Sequence, residues 1–463
     1  MKMKYFFMLS MLLLFMFFPS ASIGWRISEE PFFAPLKSTI NNLKLRASYG
    51  TLGNQKTSSN YTYLRLINFN TFAGYNFGDN VMARYTNLGA PIADDMTWEM
   101  SKQTNLGLDL AMFGNKLELT VEGYIRDTDG MLTAGMDLPS VYGASSPQMN
   151  AADLRTKGIE ASLSWRDSFK LFGKPFSYNV RPTISYYTSH ITKFANETKL
   201  LSNYYNGMEL GEIWGFKVDG LFKTTEEALD YTSQVDQSYF NANLNGGWKA
   251  GDIKFVDVDG DGVVGIGANT LDEHGDLVYL GNSLPRLHYG LTTGFSFANF
   301  DFSIFFEGTG NHYWYPSKQN YAFWGPYSYG YPTFLAKDFL ANCWSEDNLD
   351  AYFPRPRSNI ASNGGGELGR VNNRYIQNIR YLRLKNLTVG YEIPTKVVNL
   401  VGIEKARVYF SGENVAYWSP ITKYTKHLDP ESAFDRNGDS GDDLNNGAYP
   451  WQKTFMFGID ITF

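Results

Sequence analysis

The chain is poor in the residues that usually carry chemistry. It has one cysteine, Cys343, among 463 residues. An internal disulfide framework is excluded, and a lone cysteine is most simply a packed residue. The five histidines, His190, His274, His288, His312 and His427, are scattered. None stands beside a cysteine or another histidine at metal-ligand spacing. No Gly-x-Ser-x-Gly elbow, phosphate loop or dinucleotide fingerprint sits between a strand and a helix, so nothing points to an enzyme. Charged residues make up only 19%, the formal net charge is -6, and no basic stripe runs along the chain. That excludes nucleic acid as a partner. Long apolar runs are also scarce. The longest, residues 6–18, falls short of the roughly 20 residues that a spanning helix needs.

What is abundant is aromatic side chain and alternation. Aromatics make up 16% of the chain, with 31 Tyr, 34 Phe and 10 Trp. The last strand-like stretch places Phe455, Phe457, Ile459, Ile461 and Phe463 on one parity and Thr454, Met456, Gly458, Asp460 and Thr462 on the other. A period of two puts these sets on opposite faces of a β-strand. One face for lipid and one for a wet lumen is the pattern of a transmembrane barrel, although an edge strand of a soluble sandwich shares it. A mean hydropathy of -0.31 excludes a helical membrane protein but not a barrel, whose strands are only half apolar.

The same alternation recurs upstream. Leu43, Leu45, Ala47 and Tyr49 interleave with Lys44, Arg46 and Ser48. Leu106, Leu108, Leu110 and Met112 lead through Gly114-Asn115 to Leu117, Leu119 and Val121, which reads as a hairpin. Ile159, Ala161, Leu163 and Trp165 alternate with Glu160, Ser162 and Ser164, and a further run from Tyr178 to Tyr186 is weakened as a strand by Pro182. A hairpin from Leu287 to Glu307 turns at Ala298-Asn299. At Lys385-Asn386 the parity slips by one, which predicts a β-bulge. No sustained helical period is visible. Strands are joined by long polar and aromatic segments at 222–252, 312–369 and 423–448. Aromatic clusters of this kind either pack loops together or stack on a ligand. Lys44, Arg46, Asp109, Glu118 and Glu122 are most simply lumen-facing.

One local motif carries metal chemistry. Asp257, Asp259 and Asp261 alternate and Gly262 follows, as in the opening of an EF-hand calcium loop. Loop position twelve holds Ala268 instead of a bidentate Glu, so Asp272 or Glu273 would have to close the site. The competing reading is a turn capped by its own carboxylates. A calcium here would be structural, and no other cofactor is required.

Taken in order, several short motifs resemble the C-terminal half of SusC/RagA-type TonB-linked outer-membrane transporters. They are Gly24-Trp-Arg-Ile-Ser-Glu-Glu30, Leu43 to Gly50 with Gly53-Asn54, Trp98-Glu99, and Asn105-Leu-Gly-Leu-Asp109. Further on come Thr156-Lys-Gly-Ile-Glu160, Gly251-Asp252-Ile253, Gly281-Asn282 with Pro285, Tyr381 to Tyr391, Asp429-Pro-Glu431 and Tyr449-Pro450. The resemblance implies an all-β, transmembrane antiparallel β-barrel in the cell outer membrane. The chain would supply roughly the C-terminal half of a barrel of about 22 strands. It implies import of oligosaccharides, peptides or similar nutrients, a SusD-like lipoprotein over the outer face, the TonB system as energy source and outer-membrane lipid around the wall. The family's small sandwich domain, TonB-contacting segment and plug find no match here.

On this reading residues 18–463 form the barrel portion with long extracellular loops. Residues 1–17 have signal-peptide anatomy, with Lys2 and Lys4 before the apolar run and Ser20, Ala21 and Ser22 after it. Cleavage near Ala21 to Gly24 would, however, cut a barrel strand. The stretch is therefore expected to be a start inside a longer gene, and the chain alone is expected not to transport. The alternative functions are a non-transporting surface remnant and a secreted glycan-binding β-protein.

Overall fold

The computed structural model describes residues 17–463 apart from 56–63, 77–81, 94–95, 135–138, 145, 241–246, 319, 329–334, 336, 363–365, 426–427 and 432–450. Its frame is one sheet of eleven strands. In chain order these are β1 (Ser20–Arg26), β2 (Ile40–Asn54), β3 (Glu99–Met112), β4 (Leu117–Ala134), β5 (Gln148–Leu171) and β6 (Lys174–Lys193). They continue as β7 (Leu287–Phe297), β8 (Phe300–Thr309), β9 (Tyr381–Glu392), β10 (Lys405–Trp418) and β11 (Thr454–Thr462). Each strand pairs with its neighbours in sequence, and every ladder is antiparallel. No helix among the described residues is long and apolar enough to cross a membrane.

The register makes the two faces continuous across strands. Leu45 opposes Leu108, Leu108 opposes Val121, and Val121 opposes Ala161. Farther round, Ile304 opposes Leu387, and Phe410 opposes Phe457. This apolar face is open to the outside, with Leu106 65% and Phe457 85% exposed. A soluble protein rarely leaves so large an apolar surface uncovered. The opposite face holds Lys44 against Asp109, Asp109 against Thr120, Thr120 against Ser162, and Arg407 against Asp460. An apolar face for hydrocarbon and a polar face for water is the arrangement of an outer-membrane wall.

The ends of the wall differ. At one end the links are short. Phe113, Gly114 and Asn115 turn with positive φ, as do Phe172-Gly173 and Ala298. Rings gather at this end: Phe113 meets Trp165 at 6.2 Å, Phe176 meets Phe295 at 6.0 Å, and Phe300 meets Tyr391 at 4.7 Å. Such a belt marks a membrane interface, and short turns mark the periplasmic side. The other end carries the long connections.

Two local expectations are settled in the strands. Pro182 does sit inside an interior strand. The β5–β6 ladder passes from Ser162↔Thr183 to Trp165↔Val180, so the rungs at Pro182 and Arg181 drop out while the register holds. The slip at Lys385 is a bulge: consecutive Phe305 and Phe306 oppose Asn386 and Leu384. On its other side, Asn414 and Val415 lie between the partners of Leu384 and Asn386, and Asn414 takes a φ of 51°.

One expectation is corrected. The segment after Phe222 contains a helix, α1 (Thr225–Gln234). The Thr224 hydroxyl caps the Glu227 amide at 3.1 Å, and the Glu227 carboxylate accepts from the Lys223 amide at 2.8 Å. This is a capping arrangement, legible as Thr-x-x-Glu. Ten residues give too little periodicity to register against an alternating background. The 1–17 segment lies outside the described residues except for Phe17.

The two-faced wall makes a direct prediction. Val121→Arg, on the apolar face, should cost about 2–4 kcal/mol of folding stability in lipid if it lies near mid-bilayer. Thr120→Arg, one residue away on the polar face, should change it by less than about 0.5 kcal/mol. Equilibrium refolding into vesicles measures both.

Candidate functional site

The polar face is a lattice of paired charges. Arg46 reaches Asp109 at 2.9 Å and Glu122 at 3.3 Å, and Arg166 pairs with Glu118. Arg407 bridges Asp301 at 2.7 Å and Asp460 at 3.1 Å. Arg46, Asp109 and Glu122 are thus brought together on the polar face, Glu118 pairs separately with Arg166, and Lys44 lies opposite Asp109 on the same side. Midway round the wall a recess of about 470 Å³ is lined by Glu122, Glu160, Thr183, Ser185, His288 and Glu307, among others. Ile184, Tyr289 and Phe305 stand among these carboxylates and hydroxyls, so the recess offers polar and apolar contacts together.

Above the long-loop end the connections fold into a module with its own core. Phe222, Phe255, Trp324, Tyr327 and Tyr375 are fully buried. Phe240 stacks on Phe255 at 3.7 Å, and Tyr352 stacks on Tyr424 at 3.6 Å. Of the aromatic cluster in the sequence, Trp324 and Tyr327 pack inward with Phe353, so these rings hold loops together. Tyr329 and Tyr331 lie outside the described residues. Cys343 is buried with Tyr327, whose hydroxyl donates to the Pro354 carbonyl at 2.6 Å. Burial raises the Cys343 thiol above its ordinary value, so it is an inert packed residue.

The motifs that were separate in sequence meet in space. Asn54 donates to Glu99 at 2.8 Å, and a Cβ on Gly53 would strike the rings of Phe18 and Trp98. Asp252, fully buried, takes Arg355 at 2.7 Å and Arg357 at 3.4 Å, while Arg357 also pairs with buried Glu367. Burial pushes the Glu367 carboxyl up, and Arg357 opposes that shift. Gly251, beside this network, has a φ of 81°, and a side chain there would overlap the Trp344 ring. Arg383 on β9 bonds Asp429 at 2.6 and 2.7 Å, and Lys385 bonds Glu431 at 2.7 Å. Trp451 lies over both cations, 5.2 Å from the Arg383 guanidinium and 4.7 Å from the Lys385 ammonium. The bulge aims Lys385 and Asn386 to the same side, so the wall grips the last loop with two cations.

The acidic turn caps itself with its own carboxylates, one of the two readings expected of it. The Asp257 carboxylate accepts from Gly260 at 2.7 Å and Gly262 at 2.9 Å, which is the self-capped turn. Asp257 and Asp259 also converge with Asp276, all three carboxylates lying within 4.8 Å of one another. Asp261 is not in this group; its carboxylate accepts from the Val263 amide at 2.8 Å. Nor are Asp272 and Glu273, the sequence-based candidates for closing the site. Asp276 is wholly buried, and its carboxyl also accepts from the Gly265 amide at 2.7 Å. Burial, and then the nearby Asp259 carboxylate, raise it above the ordinary range against its backbone hydrogen bonds. Three carboxylates fit a hard cation, which takes about six to eight oxygens in all.

A membrane β-barrel wall with a folded loop module is therefore the class that fold and face define. The sequence model described as TonB dependent receptor-like, beta-barrel, matches residues 14–415. The chain belongs to this family of outer-membrane proteins. It is 29% identical over 468 residues to TonB-dependent receptor P26 of Formosa agariphila, covering 96% of this chain and 42% of that one. To TonB-dependent receptor SusC of Bacteroides thetaiotaomicron it is 27% identical over 458 residues, covering 96% and 40%. Its fold superposes on the RagAB peptide importer in the open-open state with a TM-score of 0.68 at 20% identity, covering 96% of this chain and 42% of that one. The RagAB peptide transporter gives 0.66 at 21% identity, covering 96% and 43%. The chain thus spans about 42% of the length of the first relative.

Arg383→Ala should loosen the segment around Asp429. Removing one partner of a buried ion pair costs about 3–5 kcal/mol. Arg383→Lys should recover only part, because a single ammonium cannot place separate nitrogens on Asp429 and, at 3.2 Å, on Glu431. Chemical denaturation reads the cost, and protease cleavage near Glu431 reads the loosening.

Proposed function

We propose that this chain forms part of the wall of a TonB-driven importer for oligosaccharides, peptides or similar polar nutrients. The observation that carries this reading is a polar face that runs opposite an apolar face in register from strand to strand, from Asp109 beside Thr120 to Arg407 beside Asp460. A wall of that kind has lipid on one side and a hydrated path on the other. The loop module, with its dense core, gives a firm outer platform on which a SusD-like lipoprotein can sit. TonB would act through parts of the importer other than this wall. The secreted glycan-binding alternative is disfavoured by the exposed apolar face and by the inward packing of Trp324 and Tyr327.

The test is import. Cells that carry the chain in their outer membrane, within an importer and with its lipoprotein, should take up a labelled oligosaccharide or peptide. An uncoupler should stop that uptake. Uptake that persists unchanged after the chain is deleted would overturn the reading.

We also propose that a structural calcium binds between Asp257, Asp259 and Asp276. Burial of Asp276 among two further carboxylates favours a cation there. Native Asp276 keeps its proton where the unfolded chain has lost its own. Its contribution to stability therefore falls as pH rises from about 4 toward its raised native value. Calcium, which takes the ionised form, should cancel that fall. Thermal unfolding should show the decline in a chelator and not in calcium, and calorimetry should show calcium heat. Asp259→Asn and Asp276→Asn should abolish the heat, while Asp261→Asn should not. Absence of heat in the unaltered protein would dispose of the site.

A further inference from the structure

Two links at the short-turn end are longer than turns. One, residues 27–39, joins β1 to β2 beside the 113–115 turn, where the Phe113 amide donates to the Thr39 carbonyl at 2.8 Å. The other, residues 393–404, joins β9 to β10 beside the 298–299 turn, where the Asn299 side-chain amide donates to the Glu392 carbonyl at 2.7 Å. Both fold toward the apolar face of the wall.

The second link shows this most fully. It opens at Pro394 with a helical turn, α2 (Thr395–Val398), and runs on as a 3-10 turn over Asn399–Val401. It stops at Gly402, whose φ is 78°. α2 packs on the start of β10. Ala406 lies there on the apolar parity, opposite Ile461 and two residues before Val408. Ile461 is exposed, yet Ala406 and Val398 are each only 4% exposed. The Val398 side of the link therefore lies against the outer face of the wall. Val397, Leu400 and Val401 are spaced i, i+3 and i+4, so they fall on one side of the link. That side is bare, with Leu400 84% exposed. Thr395 and Asn399 fall on the opposite side, and exposed Lys396 lies on the flank away from Val398.

The first link repeats the plan with different residues. Trp25 faces out with Leu45, and Phe32 stands edge-on to it, the ring centroids 6.5 Å apart. The Trp25 indole donates to the Glu30 carboxylate at 2.9 Å, which holds the link to its strand. Phe32 and Leu36 are exposed, while Phe33 is buried beneath them.

We infer that both links are interfacial anchors. The stripe of Val397, Leu400 and Val401 sits with Phe32 among the acyl chains of the periplasmic leaflet, Lys396 reaches its headgroups, and Thr395 stays in water. Two observations make the occupant lipid and not a protein. These apolar groups continue the face that hydrocarbon covers. The strands from β3 to β8 also separate the two links, so a single protein partner would have to reach round the wall, whereas the bilayer meets both. A short amphipathic segment with a lysine on its flank suits that boundary. The anchors would set how deep the wall sits. The inference rests on the membrane reading of the wall and not on import.

The test uses outer membranes from cells that carry the chain within an importer. Single spin labels enter through Leu400→Cys, Phe32→Cys, Thr395→Cys and, as a reference on the wall, Leu106→Cys. Cys343 is buried, so the unaltered chain gives the background. Collisions with oxygen, which enters lipid, and with a neutral nickel chelate, which stays in water, report the depth of each label. The Leu400→Cys and Phe32→Cys labels should lie about 5–10 Å into the boundary of headgroups and acyl chains, and the Thr395→Cys label should lie in water. A Leu400→Cys or Phe32→Cys label as open to nickel as that of Thr395→Cys would overturn the inference. So would one shielded from both reagents, which is the sign of a protein cover. If Leu400→Cys does not reach the membrane, Val401→Cys on the same stripe is read in its place. A Leu106→Cys label in water would sink the membrane reading and the anchors with it. With that label in lipid, a Leu400→Cys label in water counts against the anchors alone.

Discussion

In a bilayer a peptide group has no water to fall back on, and that constraint organises this molecule. Each strand must give its hydrogen bonds to another strand, and the side chains must sort by face. The sorting survives every connection in the wall, from Leu45 beside Leu108 to Phe410 beside Phe457. It survives Pro182 as well, where two rungs are lost but neither face is disturbed. A one-residue slip would move every apolar side chain of a strand into the lumen. The bulge at Lys385 is the one slip in β9, and its effect is confined. Leu384 still faces out beside Phe306, and Asn386 still faces in beside Phe305.

The loops obey a different constraint. They stand in water, so their order comes from burial. Trp324, Tyr327, Phe353 and Tyr375 form a continuous ring cluster, and Asp252 with Arg355, Arg357 and Glu367 is enclosed beside it. An enclosed ion pair adds little net stability but penalises every arrangement that separates its members. The loop module is thus held to one packing. The grip of Arg383 and Lys385 on Asp429 and Glu431 ties part of the last loop to the wall.

The wall was largely legible in the sequence. Its signal is a period of two, which each strand states for itself: Leu106 to Met112 or Phe455 to Phe463 need no other part of the chain to be read. The turns at Gly114-Asn115 and Ala298-Asn299 and the slip at Lys385 were legible for the same reason. What stayed hidden depends on residues far apart. Asp276 joins Asp257 and Asp259 because a turn folds back, at a distance that no EF-hand spacing anticipates. Arg357 and Glu367 carry no periodic signal, and their burial is decided by rings contributed from other loops. The helix after Thr224 left a trace in its Thr-x-x-Glu start, but ten residues in a polar segment were easily passed over.

The pairing of motifs explains what the family resemblance was measuring. Gly53-Asn54 meets Trp98-Glu99, and Arg383 with Lys385 meets Asp429 and Glu431. Gly158 lies opposite Tyr124, whose ring covers it and leaves no room for a side chain. These contacts are joints between strands and loops, where one residue type fits and a neighbour's identity is fixed by it. None of them needs a ligand to explain it. The recess lined by Glu122, Glu160 and His288 contains only one residue of those motifs, Glu160. If the chain lines an import path as proposed, the side chains that meet the solute are on that open polar face, because the joints already have their partners.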